Sequence, residues 1–373
     1  MIPKTYQILT NLDCNLRCKY CYEHNKLHGF NNINYIKDYI RSGIENDKNE
    51  QLTKMAFEFI GGESFLYPNE LTELFEFILD ECKQNEILEP PLFMFSTNGT
   101  LINEKPVQKL ISTYGRYMSV GFSIDGTREI HDTNRIDIHG NGTYDKAIAG
   151  YTWAKRHICN YKTSVKATFT HETIDKYYES IINLISIGFV DIAANVIFEE
   201  IWTQEDSILI KDQMYRIVDY IFENNLENKI RIQQINPNGS DTDTSFVGIQ
   251  KEGNFCGTCQ HMRCLGFDNK IYGCHRFATM NKPQYTIGKI ENGKILINNQ
   301  ELIDEVSRQY TLWPEDCKVC KLGQMCASCC AAPYENDKVD VVSYYGRKAQ
   351  CGFTVARAAA MCYYIYRLKQ KYS

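Results

Sequence analysis

An α/β fold, a partial (β/α)6 barrel followed by a small cysteine-rich domain, is predicted by three features of this 373-residue chain. Six short apolar runs alternate with six amphipathic stretches through the first 225 residues. Three cysteines, Cys14, Cys18 and Cys21, stand directly after the first run. Ten more cysteines crowd into the 96 residues from Cys256 to Cys351, where the alternation has stopped.

The strand signals start near Thr5 (TYQIL), Met55 (MAFEFI), Leu92 (LFMFS), Met118 (MSVGFSI), Val165 (VKATF) and Asp191 (DIAANVIF). Helical periodicity runs over 33–45, 69–83, 105–113, 144–156, 173–187 and 205–224. Strand–helix alternation of this kind builds a parallel sheet with right-handed crossovers. Six units are too few to close an eight-stranded barrel. The functional loops then belong at the C-terminal ends of the strands, and the three cysteines lie in the first of them. Residues 236–241 (NPNGSD) form loop. The expected organisation is a barrel over 1–230, a linker over 231–251, a cysteine-rich domain over 252–353 and a helix over 354–373.

Composition narrows the class. A net charge of −5 argues against a protein that binds nucleic acid by neutralising phosphates. No apolar run approaches the length of a membrane span. Met1–Thr10 has a single lysine and no apolar core, so it is not a secretory signal. The expectation is a cytoplasmic protein. Disulfides are rare there, and 16 cysteines read as metal ligands.

The run Cys14-Asn15-Leu16-Arg17-Cys18-Lys19-Tyr20-Cys21 places three thiolates in one loop with no fourth nearby. A 4Fe–4S cubane is usually held by four thiolates, so three leave one iron open, and an open coordination position is where substrate chemistry takes place. A zinc site asks for two paired-cysteine motifs or added histidines, and a disulfide would strand one cysteine. The spacing resembles that of the radical S-adenosylmethionine (SAM) enzymes. In that family the open iron binds the SAM amino and carboxylate groups, and an electron from the cluster cleaves SAM to a 5′-deoxyadenosyl radical. The resemblance implies a 4Fe–4S cluster on Cys14, Cys18 and Cys21, with the Tyr20 backbone facing the adenine. An anaerobic setting is expected, because Fe–S clusters open to small molecules are oxygen-sensitive.

Gly61-Gly62-Glu63 follows the second strand, where paired glycines let a ligand approach the backbone. The matching segment in radical SAM enzymes holds the SAM amino group, which implies that role for Gly61, Gly62 and Glu63. Ser64 stands where the family usually has proline. Ser96-Thr97-Asn98-Gly99 closes the third strand and Ser123-Ile124-Asp125-Gly126 the fourth. By resemblance to the peptide-modifying subgroup, Ser123 touches the SAM ribose and Arg135 the SAM carboxylate. Asp125 is a candidate catalytic carboxylate. Turn capping is the other reading for both Asn98 and Asp125.

The series Cys317, Cys320, Cys326, Cys330 and Cys351, preceded by Cys256, Cys259, Cys264 and Cys274, resembles the SPASM domain of radical SAM maturases. That domain carries two auxiliary 4Fe–4S clusters. The resemblance implies an outer cluster on Cys317, Cys320, Cys326 and Cys351. An inner one would use Cys256, Cys274 and Cys330, with Cys259 as fourth ligand, Cys264 an alternative to Cys259 and Cys329 to Cys330. Asn269 stands where the family usually has glycine, and asparagine also tolerates the left-handed region. Cys82, Cys159 and Cys362 are expected to be small buried hydrophobes.

The implied activity is maturation of a ribosomally made precursor peptide: hydrogen abstraction, then a thioether bond from a substrate cysteine. The alternative is an anaerobic sulfatase-maturating enzyme, which oxidises cysteine or serine to formylglycine. That family has an aspartate base after the cysteine matching Cys274. Here His275 stands in its place, and an imidazole can also accept a proton. Either chemistry implies three 4Fe–4S clusters, SAM and a flavodoxin- or ferredoxin-type electron donor. With 13 residues before Cys14, the expectation is that no leader-binding domain precedes the barrel.

Overall fold

The computed structural model describes residues 4–23, 26–48, 55–159, 163–198, 200–236, 256–280, 282–308, 313–326, 329–331, 334 and 348–373. Along the chain run β1 (Thr5–Asn11), α1 (Ile33–Asp47), β2 (Ala56–Gly61), α2 (Pro68–Gln84), β3 (Leu92–Thr97), α3 (Lys105–Tyr114) and β4 (Met118–Ser123). They are followed by α4 (Arg128–Asn134), α5 (Tyr144–Ala154), β5 (Thr163–Phe169), α6 (Tyr177–Ile187), β6 (Asp191–Val196), α7 (Gln204–Glu223) and β7 (Arg231–Ile232). The C-terminal third holds β8 (Met262–Leu265), β9 (Lys270–Tyr272), α8 (His275–Thr279), β10 (Thr286–Glu291), β11 (Lys294–Ile297), α9 (Gln300–Ser307), α10 (Glu315–Lys318) and α11 (Cys351–Tyr372).

The chain divides into two compact units. The first comprises 1–122, 135–163 and 257–307. In it β1, β2, β3 and β4 pair in sequence and in parallel. Parallel strands are covered on both faces, and β1 is accordingly buried along nearly its whole length. Phe57 and Phe59 of β2 lie in register with Phe93 and Phe95 of β3. The Phe59 and Phe95 rings stack at 5.2 Å, and Phe75 of α2 stacks on Phe93 at 4.2 Å. Aromatic pairs across neighbouring strands add to the stabilisation from burial alone. On the other edge β1 pairs in parallel with β8, and β8–β9–β10–β11 continue as antiparallel strands.

The second unit comprises 123–134, 164–256 and 308–373. Here β5, β6 and β7 pair in parallel. Thr203 and Asp206 form a reciprocal capping box at the start of α7. Gly188, at φ +104°, ends α6 in the left-handed conformation that glycine adopts without penalty. α11 lies along α7: Tyr363 stacks on Tyr215 at 4.6 Å, and Asp219 accepts hydrogen bonds from Tyr363 and Arg367.

The six strand–helix units stand where the pattern places them. Five details differ. Residues 257–307 pack with the first half of the barrel because β8 extends its sheet at β1, so the cysteine-rich domain expected over 252–353 is divided between the two units at 307/308. Residues 231–232 are strand, not linker, and the rest of the expected linker beyond 236 lies outside the described residues. The C-terminal helix begins at Cys351, three residues early. The periodicity gives no sign of α4, and the helix expected over 173–187 is a tighter turn over Ile174–Lys176 before α6.

Candidate active site

The loop after β1 is shaped by Asn11. Its Nδ2 donates to the carbonyls of Asp13 (2.8 Å) and Glu63 (3.1 Å). In return, the Gly62 N–H donates to Asn11 O (3.1 Å) and the Glu63 N–H to Asp13 O (2.8 Å). The Gly-Gly-Glu segment is thereby zipped along the start of the cysteine loop. A Cβ on Gly61 would run into Asn11 Oδ1, and one on Gly62 would meet the Asp13 carbonyl and, at 2.9 Å, Cys14 Cβ. Both positions need glycine because backbone cannot step aside as a flexible side chain can.

Cys14, Cys18 and Cys21 are half-buried thiols, none of them in a disulfide. The Leu16 N–H points at Cys14 Sγ (3.4 Å) and the Lys26 ammonium at Cys21 Sγ (3.4 Å). Donors aimed at sulfur suit a thiolate set. Burial, and then the Glu63 carboxylate, pushes the Cys14 thiol up to about 12. Loading metal on this loop therefore requires protons to leave.

Glu63 is buried. Its carboxylate accepts hydrogen bonds from Thr97 Oγ1 (2.9 Å), the Asn98 N–H (2.7 Å) and the Phe65 N–H (3.2 Å). Burial pushes its pKa up to about 7 against those donors. It ties the ends of β2 and β3 together. Asn98 Oδ1 accepts from the Thr100 N–H (2.9 Å), the capping pattern, while its Nδ2 donates to Asn15 Oδ1 (2.9 Å) inside the cysteine loop. Asn15 in turn donates to Thr100 Oγ1 at 2.8 Å.

Arg135 arrives from the segment before α5. Leu16 bridges Asp137, and the Arg17 N–H donates to Ile136 O at 2.7 Å. The Arg135 guanidinium then sits 5.2 Å from the centre of the Tyr20 ring. Cys14, Tyr20, Gly61, Gly62, Glu63 and Arg135 thus converge within one unit. Asn11, Asn15 and Thr97, which sequence reasoning missed, are the fasteners.

His275 opens α8, and its N–H donates to Gln7 Oε1 of β1 at 2.9 Å. Its ring lies 6.3 Å from that of Tyr22, next to Cys21, and the Arg276 guanidinium covers Tyr22 at 5.1 Å. The segment Cys274–Arg276 therefore faces the end of the cysteine loop. Cys274 and Cys259 are buried. The Cys259 N–H, on a backbone at φ +62°, donates to Gly273 O (3.3 Å), and a Cβ on Gly273 would strike Cys259 Sγ. Cys264 lies in β8, fully buried, with its Sγ on Leu265 O at 3.6 Å. Burial lifts its thiol well above the ordinary value.

Asp125 and Ser123 belong to the second unit. Asp125 is fully buried, and its Oδ1 accepts from the Thr168 N–H of β5 at 2.9 Å. The bond reaches an amide inside β5, 43 residues away, and so is not a local turn cap. Ser123 ends β4, half-buried. In the same unit Cys256 Sγ and Cys330 Sγ stand 4.0 Å apart. The Cys320 N–H donates to Cys317 O at 3.2 Å. Cys351 begins α11, held close to Trp202–Thr203 because Gly352 has no Cβ. Burial, with Cys326 and Cys320 near enough to add their charge, raises the Cys351 thiol. Cys82 is buried as expected, but Cys159 and Cys362 are exposed: each lies on the solvent side of its stretch.

Residues 8–185 match the radical SAM superfamily. A cysteine-type anaerobic sulfatase-maturating enzyme of Clostridium perfringens is 24% identical over 330 residues, covering 85% of each chain. A serine-type anaerobic sulfatase-maturating enzyme of Bacteroides thetaiotaomicron is 22% identical over 334 residues, 82% of this chain and 77% of that one. Among solved structures, native anSMEcpe with bound AdoMet superposes with a TM-score of 0.73 at 20% identity, over 99% of this chain and 100% of that one. Streptococcus suis SuiB bound to precursor peptide SuiA gives 0.54 at 16% identity, over 90% and 72%. The chain carries a radical SAM domain over residues 8–185. Its fold is the α/β radical SAM partial barrel followed by the cysteine-rich domain of the anSMEcpe type.

The class implies a 4Fe–4S cluster and SAM, and the residues fit both. Donors are directed at two sulfurs of the three-cysteine loop, those of Cys14 and Cys21, and Gly61 and Gly62 let the end of β2 lie so close to that loop that any Cβ would collide with Asn11, Asp13 or Cys14. Among the described residues no three His, Cys, Asp or Glu groups converge on a single metal ion; a cubane spreads its thiolates over separate irons. No described helix is long and apolar enough to cross a membrane.

Proposed function

We propose that this enzyme oxidises a cysteine or serine side chain of a peptide or protein to the aldehyde of formylglycine, the chemistry implied by its resemblance to sulfatase-maturating enzymes. The observation that carries the reading is the placement of His275 against Tyr22 and the cysteine loop, 6.3 Å ring to ring, in a chain matched nearly end to end by a sulfatase-maturating enzyme. A solved anSMEcpe structure with AdoMet and the Cp18Cys peptide superposes with a TM-score of 0.74. SuiB, whose structure holds a precursor peptide, matches less closely and over less of its length. The comparisons favour the alternative over the crosslinking expectation.

When bound, SAM and its cluster supply a deoxyadenosyl radical, and auxiliary clusters take up an electron. The chain's own residues do the rest. Gly61, Gly62 and Glu63 offer the SAM ammonium a cradle with a buried negative charge, and Arg135 offers its carboxylate a cation. The Tyr20 backbone faces the nucleoside. His275 takes the proton from the substrate thiol or hydroxyl, replacing the aspartate of the family; loss of the Cβ hydrogen, this proton and one electron turns serine directly into the aldehyde and cysteine into a thioaldehyde, which water hydrolyses to the aldehyde with release of hydrogen sulfide. Cys317, Cys320, Cys326 and Cys351 form the outer auxiliary set. For the inner set Cys259 is preferred to Cys264, because the latter is spent inside a strand. The substrate hydrogen must lie in near contact with the radical carbon, and exclusion of stray hydrogen donors falls to the surrounding loops. A flavodoxin- or ferredoxin-type protein in the cytoplasm is the proposed reductant.

A peptide bearing cysteine deuterated at Cβ tests the reading. Deuterium carried into 5′-deoxyadenosine supports it. Vigorous SAM cleavage with no deuterium transfer from a sulfatase-type peptide, at any pH tried, overturns it.

A further inference from the structure

The face of α11 that meets the Cys317–Cys326 segment is not neutral. Thr354, Arg357, Ala358 and Met361 recur at helical spacing. Ala358 and Met361 pack on Met325 and Leu322. Thr354 Oγ1 donates to Cys326 Sγ at 3.9 Å. Arg357 Nη1 donates to Met325 O at 3.3 Å, one residue from Cys326, and its guanidinium lies 5.9 Å from the Phe353 ring centre. The Arg357 Nε is shut off from solvent with no hydrogen-bond partner among the described residues. A simple carbonyl cap does not need a cation, and a buried one is poorly screened.

We infer that α11 sets the reduction potential of the outer auxiliary cluster, with Arg357 as a fixed positive charge and Thr354 as a hydrogen-bond donor to a ligand sulfur. This rests on the assignment of Cys317, Cys320, Cys326 and Cys351 to that cluster. Net charge and hydrogen bonds to sulfur are the levers by which a protein tunes such a centre. A nearby cation stabilises the form carrying the extra electron, so Arg357 raises the potential and favours electron uptake from the substrate. Arg357 acts through the cluster and does not touch substrate; it is a positioning residue.

The test is an EPR-monitored redox titration of the reconstituted full chain, with iron counted in every sample. Cys320→Ala identifies the outer cluster as the signal it removes. Arg357→Met should shift that signal to lower potential with iron content unchanged. Arg357→Lys should keep it near the parent value, and Thr354→Val should lower it by less than Arg357→Met. An unmoved potential in Arg357→Met overturns the inference. If Arg357→Met sheds the cluster, the lysine variant decides. A lysine protein that holds the cluster at the parent potential supports the charge, whereas one that loses the cluster or holds it at lower potential makes Arg357 a structural cap. If the parent shows no signal that Cys320→Ala removes, the cluster assignment itself has failed, a result distinct from an unshifted potential.

Discussion

Glu63 carries two demands on one carboxylate. It fastens Thr97 and Asn98 to the end of β2, and it is the buried negative charge beside Cys14. In Glu63→Gln the fastening survives in part and the charge goes. A charge-assisted hydrogen bond is worth about 1.5–3 kcal/mol, so SAM affinity should fall about tenfold or more while iron content holds; equilibrium binding of SAM checks this. The same residue gives a pH signature. Its folded pKa of about 7 lies above the ordinary 4.5. Between those values the folded chain keeps a proton that the unfolded chain has lost, so Glu63 makes stability fall as pH rises through that window. Cluster-free Glu63→Gln should gain on the parent in urea midpoint between about pH 5 and about pH 8. The motif was legible in the sequence as two glycines and an acid at a strand end. The partners were not, because Thr97 and Asn98 meet Glu63, and Asn15 meets Asn98, only once β1, β2 and β3 lie side by side.

At the scale of elements, the loop after β1 and the start of α8 hold the chemistry. Replacing Cys14, Cys18 and Cys21 together by alanine should lower iron from about twelve per chain to about eight, as one of three cubanes is lost, and abolish SAM cleavage. An iron assay with product chromatography reads both. For α8, His275→Ala should keep SAM cleavage but lose most peptide oxidation, by the roughly 10²–10⁴-fold that a positioned acid or base contributes. His275→Asp should restore a substantial part, since a carboxylate can take the same proton. Equal product formation by parent and His275→Ala would remove the histidine from the chemistry. The β/α alternation was readable because each element carries its own period: Phe57 and Phe59 at spacing two, α7 at three and four. The strands β8 to β11 were not. They are short, and the pairing of β8 with β1 is a contact across more than two hundred residues that no local period announces. The bond from the Thr168 N–H to Asp125 was hidden for the same reason.

For the whole molecule, the cysteine positions alone led to the class, and the choice between two maturase chemistries came from elsewhere. Cysteine spacing reports which clusters are held, not which bond the substrate forms, and His275 in place of an aspartate pulled the sequence reading toward crosslinking. The structure sets the His275 ring 6.3 Å from that of Tyr22, next to the cysteine loop, and the proposed oxidation takes His275 as its base. The decisive measurement is mass spectrometry on one reaction of the reconstituted enzyme with a cysteine-containing sulfatase-type peptide, probed in parallel with a hydrazine and with iodoacetamide. Formylglycine is predicted, seen as a hydrazone adduct on the target residue. A peptide that loses two hydrogens, resists alkylation and forms no hydrazone would contradict oxidation to the aldehyde and establish a thioether instead.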